Sequence, residues 1–195
     1  MLCALPLMRI FIAIEIPQEI KKILAEVQAL LKKSGAEAGW TRPEAVHLTL
    51  KFLGEVPETT VGNITAALAH ALEGKGSFRL RLAGAGFFPH ERNPRIVWIG
   101  VAGELDSLMG IQILVEEQTV RLGIKQEDRH FTPHLTLGRI KSLPSRDAWL
   151  KSLDQVRSLS SPEFDVTAIS VIQSELKPAG AVYTEVGRVE LLKVS

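Results

Sequence analysis

His47, Leu48, Thr49 and Leu50 are repeated as His134, Leu135, Thr136 and Leu137. Each copy reads as a β-strand, in which residues i and i+2 share a face. His47 with Thr49, and His134 with Thr136, then present an imidazole beside a hydroxyl while the intervening leucines face the core. Two such strands brought together supply two titratable bases and two neutral hydrogen-bond donors. That set suits cleavage of an anionic ester, in which one proton is removed and another delivered. Unperturbed histidine titrates near 6.5, so one partner can be neutral while the other is protonated. One copy alone is weak evidence, because threonine is a good strand former and solvent-facing histidine is common. Two copies in matching surroundings carry the argument. Metal binding is the competing chemistry. Neither copy has a neighbouring Asp, Glu or Cys at ligand spacing, nor a His-x-x-x-His pair, so no metal site is expected.

The elements that must position these residues follow from the hydrophobic period. Arg9 to Glu15 alternates as a strand, with Ile10, Ile12 and Ile14 on the core face and Phe11 on the other. Pro17 opens a helix carrying Ile20, Ile23, Leu24, Val27, Leu30 and Leu31, which Gly35 stops. The first motif strand is predicted at about 46–53, with Val46, Leu48, Leu50 and Phe52 on its core face and His47, Thr49 and Lys51 opposite. A helix follows from near Pro57 to Gly74, then strands at 78–82 and 95–101, then a helix at about 105–122. The second motif strand is predicted near 133–140, a short helix at 144–153, and strands at 164–174, 181–186 and 189–193. Each motif strand is flanked by helices, and the histidines stand 134 − 47 = 87 residues apart. This weak internal repeat predicts an α+β fold with two pseudo-symmetric lobes, each an antiparallel sheet with outer helices, around a central cleft. Residues 1–195 are read as one such two-lobed domain, with Met8 as the expected natural start and residues 1–7 as an upstream extension.

Composition narrows the classes. The 195 residues are 46% hydrophobic and 23% charged, with a net charge of +1, so there is material for a core and nothing in bulk charge draws the chain to nucleic acid. One cysteine, Cys3, excludes an intramolecular disulfide framework and fits a reduced cytoplasmic protein. The apolar start lacks the length of a membrane span and the order of parts in a signal peptide.

The motifs together resemble the two-histidine phosphoesterase superfamily, and within it the RNA 2′,3′-cyclic phosphodiesterases, historically called 2′-5′ RNA ligases. The likeness rests on the paired His-x-Thr motifs and runs nearly end to end: Arg9 to Glu15, Trp40 to Val56, Gly86 to Pro89 with Arg95 to Gly100, Phe131 to Arg139, and Ser174 to Tyr183. The resemblance implies a substrate with a 2′,3′-cyclic phosphate, at an RNA 3′ end or on a small nucleotide, opened by water to a 2′-phosphomonoester without metal or other cofactor. It implies His47 as proton donor, His134 as proton acceptor, and Thr49 and Thr136 as donors to the phosphoryl oxygens. It also gives Arg139 a phosphate contact, although alternation from His134 puts that residue on the opposite face unless Gly138 marks a bulge. Phe11 could stack on a base or pack under a loop. Trp40, Arg42 and Phe131 read equally as scaffold or contact, Trp98 as core, and His70, His90 and His130 as bystanders. A monomer is expected. The alternatives are 2′-5′ ligase or other cyclic-nucleotide and 2′-5′ phosphodiesterase activity, and an RNA- or nucleotide-binding module without turnover.

Overall fold

The computed structural model describes residues 6–90, 94–178 and 180–193. In chain order its elements are β1 (Leu7–Glu15), α1 (Gln18–Lys32), β2 (Glu37–Trp40), β3 (His47–Pro57), α2 (Glu58–Ala71), β4 (Phe78–Phe88), β5 (Ile96–Gly103), α3 (Leu105–Arg121), β6 (His134–Ser142), α4 (Arg146–Asp154), β7 (Phe164–Val166), β8 (Ala168–Lys177) and β9 (Gly180–Glu190). They form two antiparallel sheets, ordered β3-β1-β8-β9 and β2-β6-β5-β4-β7, so the two motif strands lie in different sheets.

The sheets are not sequential halves. The C-terminal β8 and β9 complete the first sheet, and β2, which precedes the first motif, is an edge strand of the second. The four-residue β2 is not anticipated by the sequence, since Glu37-Ala38-Gly39-Trp40 carries no strand pattern. It exists because β6 offers it a pairing edge. The expected break between 186 and 189 is absent, and β9 runs through it as one strand. Residues 1–5 of the expected extension lie outside the described residues, whereas the Pro6 carbonyl accepts from the Glu58 amide and Leu7 pairs with Pro57.

One apolar core joins both sheets. Ile10, Ile12 and Ile14 of β1, Leu48 of β3, Val97 and Ile99 of β5, and Leu135 and Leu137 of β6 are all buried in it. Burying each such side chain contributes about 1.5–3 kcal/mol. Pro17 caps α1, and Ile20, Leu24, Val27 and Leu31 form its buried stripe. From that helix Gln28 donates through Nε2 to the carbonyls of Thr41 (2.6 Å) and Leu137 (2.9 Å). This buried amide ties α1 to the second motif strand. The opposite side of β1 is also covered, with Phe11 and Ala13 clustered on Ile172 of β8.

Candidate active site

Both motif strands break register at the same place. β1 pairs Ile12 with Lys51 but Ala13 with Thr49, leaving Leu50 as an extra residue in β3. β5 pairs Val97 with Gly138 but Trp98 with Thr136, leaving Leu137 as the extra residue in β6. A bulge of one residue reverses the faces of everything beyond it. The fourth residue after each histidine therefore turns in, and the fifth turns out toward the cleft. Arg139 reaches the cleft by this route, as a bulge at Gly138 required. Gly138 suits its place, since a Cβ there would lie 3.0 Å from Cε3 of Trp40 and 3.3 Å from the Gly39 carbonyl oxygen.

In β3 the same bulge corrects two expectations. Phe52, assigned to the core face, is 61% exposed and lines the cleft, and Lys51, assigned to the polar face, is 4% exposed. Lys51 Nζ instead lies 2.7 Å from Oε1 of Glu116 in α3. The signal that could have found Phe52 is the repeat itself: 52 + 87 = 139, so Phe52 occupies in its strand the position that Arg139 occupies in the other.

His47, Thr49, His134 and Thr136 line one cleft of about 700 Å³, together with Phe52 and Arg139. His134 Nδ1 donates to the Thr132 carbonyl at 2.6 Å, because a carbonyl can only accept; Nε2 is left to face the cleft. His47 is also hydrogen-bonded to the backbone two residues upstream, at Ala45. The two imidazoles are thus anchored alike.

Their surroundings differ. The His47 ring stacks on Phe11, with centroids 4.5 Å apart and planes at 26°, and meets the edge of Tyr183 at 5.0 Å. Phe11 is 2% exposed, with Tyr183 on it at 5.3 Å, so its expected role as a stacking platform for a base is corrected: its ring is the dry backing of His47. Burial, and next the nearby Lys21 ammonium, lower the His47 pKa from 6.5 to about 4 against the opposing hydrogen bond to Ala45. Lys21 is itself held by the Glu44 carbonyl at 2.9 Å and by Glu15 at 3.4 Å. His134 packs against the edge of Phe88 at 5.0 Å and against Trp98 at 5.9 Å. Trp98, expected in the core, lies on the cleft side of β5. Gly86 makes room for its indole, because a Cβ there would fall 2.2 Å from the ring.

The remaining candidates divide. Phe131 lines the cleft, as does His130, which the sequence reading sets aside. Arg42 donates to the Ala181 carbonyl at 3.0 Å, joining the chain before β3 to the tip of the β8–β9 hairpin that carries Tyr183. Trp40 packs on Gly138 and under the Lys32 ammonium, 5.5 Å from its ring. Among the described residues no three His, Cys, Asp or Glu side chains gather as a metal-binding group. No helix among them is long and apolar enough to cross a membrane.

Comparison with known proteins agrees with the internal repeat. The model of the LigT-like phosphoesterase family matches twice, over residues 14–98 and 99–183. A protein of Methanothermobacter thermautotrophicus named RNA 2′,3′-cyclic phosphodiesterase is 32% identical over 177 residues, covering 91% of this chain and 95% of that one. One of the same name from Thermotoga maritima is 35% identical over 176 residues, covering 90% and 91%. The crystal structure of TT0787 of Thermus thermophilus superposes with a TM-score of 0.72 at 31% identity, covering 96% of this chain and all of that one.

Proposed function

The chain belongs to the LigT-like phosphoesterase family of two-histidine enzymes, and on that basis we propose that it hydrolyses the 2′,3′-cyclic phosphate of an RNA 3′ end to a 2′-phosphomonoester, with no metal. The observation that carries this reading is that both backbone-anchored imidazoles and both motif threonines line one cleft. Support for the substrate comes from the relatives named RNA 2′,3′-cyclic phosphodiesterase. The reading treats residues 1–195 as one two-lobed unit acting as a monomer in the cytoplasm on an RNA end or small nucleotide.

In the reaction, water attacks phosphorus and the P–O3′ bond breaks. One imidazole takes the proton from water while the other protonates O3′. Thr49 and Thr136 donate to the non-bridging oxygens, where negative charge grows in the transition state, and Arg139 adds a fixed positive charge. Family resemblance makes His47 the donor and His134 the acceptor. The low His47 pKa favours the converse division, because an imidazole that is neutral at pH 7 is ready to accept. For His47 to donate, the phosphoryl anion must first raise its pKa.

The test is incubation with an RNA ending in a 2′,3′-cyclic phosphate in excess EDTA, resolving 2′- from 3′-phosphate. Conversion to the 2′-phosphate, abolished in His47→Ala and His134→Ala, is expected. A 3′-phosphate product, or activity lost on chelation and restored by a divalent cation, would overturn the mechanism.

A further inference from the structure

The cleft does not end at the histidine pair. It continues past Phe52 to Gln112 of α3 and to Glu127, Arg129 and His130 in the segment before the second motif. That segment is built onto the first motif strand. Glu116 of α3 accepts from the buried Lys51 ammonium at 2.7 Å and, through the same oxygen, from the Glu127 backbone amide at 3.0 Å. The Glu127 carboxylate in turn receives the Arg129 amide at 3.2 Å, its Nε at 3.0 Å and its Nη2 at 3.2 Å. A buried cation on β3 therefore sets, through a chain of hydrogen bonds, where the Arg129 guanidinium stands at the rim. Keeping a buried ion pair carries a desolvation cost that an apolar pair would avoid, which suits a role in fixing geometry.

Chemically this end of the cleft balances two cations with two carboxylates and presents hydrogen-bond donors to a ligand. Each carboxylate has a cation partner, Glu116 in Lys51 and Glu127 in Arg129, although the second oxygen of Glu116 is buried without a hydrogen bond, and the Arg129 guanidinium and the Gln112 amide are donors among the residues that line this arm. Resting on the reading of the enzyme as acting on RNA ends, we propose that this arm is a second subsite, which takes the phosphodiester on the 5′ side of the terminal nucleoside, with Arg129 as its phosphate contact. The strand leaves the reacting phosphate past Phe52 and runs toward Arg129. An oligonucleotide is then gripped at two phosphates and a free cyclic mononucleotide at one.

The experiment compares kcat/KM for a dinucleotide carrying a 2′,3′-cyclic phosphate with that for the matching cyclic mononucleotide, in the full-length protein and in Arg129→Ala. The wild type is expected to favour the dinucleotide by about tenfold, the scale of one charge-assisted phosphate contact. That preference should shrink as salt rises, and in Arg129→Ala the ratio should fall toward one. Arg129→Lys, which keeps the charge, should retain part of it. A wild-type ratio near one, or a ratio that Arg129→Ala leaves unchanged, overturns the subsite. Turnover of neither substrate by the wild type overturns the underlying reading instead, so the two failures are distinguishable. Circular dichroism of the variant checks that the fold is intact.

Discussion

β3 and β6 run the same course through their first four residues and then diverge. Each starts with a histidine anchored to the backbone two positions earlier, places a threonine two residues on, and inserts one buried leucine that breaks register. Beyond the bulge, the inward position holds Lys51 in one strand and Gly138 in the other, and the outward position holds Phe52 and Arg139. The scaffold repeats what the proposed acid–base chemistry would need twice and varies what it would need once. A flat apolar ring on one lip and a cation on the other can meet the two unlike parts of a nucleotide, its base and its phosphate. The imidazoles are also set apart by their walls, His47 being backed by Phe11 and Tyr183 beside a buried lysine.

The strongest way to break the comparison is to remove one histidine at a time. His47→Ala and His134→Ala should each lower kcat by about 10²–10⁴-fold, and single-turnover assays would show whether one lobe tolerates the loss. The pH dependence of kcat/KM sharpens it, because that parameter reports the uncomplexed protein. Whichever imidazole accepts, the reactive pair carries one proton between them, so kcat/KM should rise tenfold per unit up to about pH 4, and a rise that continues toward pH 6 would contradict the dry setting of His47. Of the inward positions, Lys51→Met leaves Glu116 without its cation and should destabilise the fold by about 3 kcal/mol, read in denaturant melts. Of the outward positions, Phe52→Ala and Arg139→Ala should each raise KM about tenfold. Only the Phe52 effect should vanish for a substrate analogue lacking a base, and equal responses of both variants to that analogue would dissolve the proposed division.

Most of the architecture could be read from the apolar period, because Ile10, Ile12 and Ile14, or Ile20, Leu24, Val27 and Leu31, mark a buried face wherever they stand. The cleft floor was legible for the same reason, as His47 and Thr49 share a face by alternation alone. What alternation cannot carry is a bulge. Gly138 permits one without requiring it, so sequence leaves Arg139 with two faces, and the register break in β6 decides for the cleft. Leu50 gave no such signal, so Phe52 and Lys51 were assigned to the wrong faces. Phe11 was given the right face, but its cover depends on Tyr183, a residue distant in sequence. β2 was illegible because its pairing belongs to β6 rather than to its own side chains.

The exchange of strands between the sheets also has a consequence for the chain as it is being made. His47 is synthesised 183 − 47 = 136 residues ahead of Tyr183, whose ring packs against it, and β1 must wait for β8 to acquire its second neighbour. A growing polypeptide that already displays both histidines still lacks the strands that back and enclose the first of them. The wall of the first histidine is complete only once β8 and β9 have emerged, so a shorter translation product carries both motifs without the enclosed cleft.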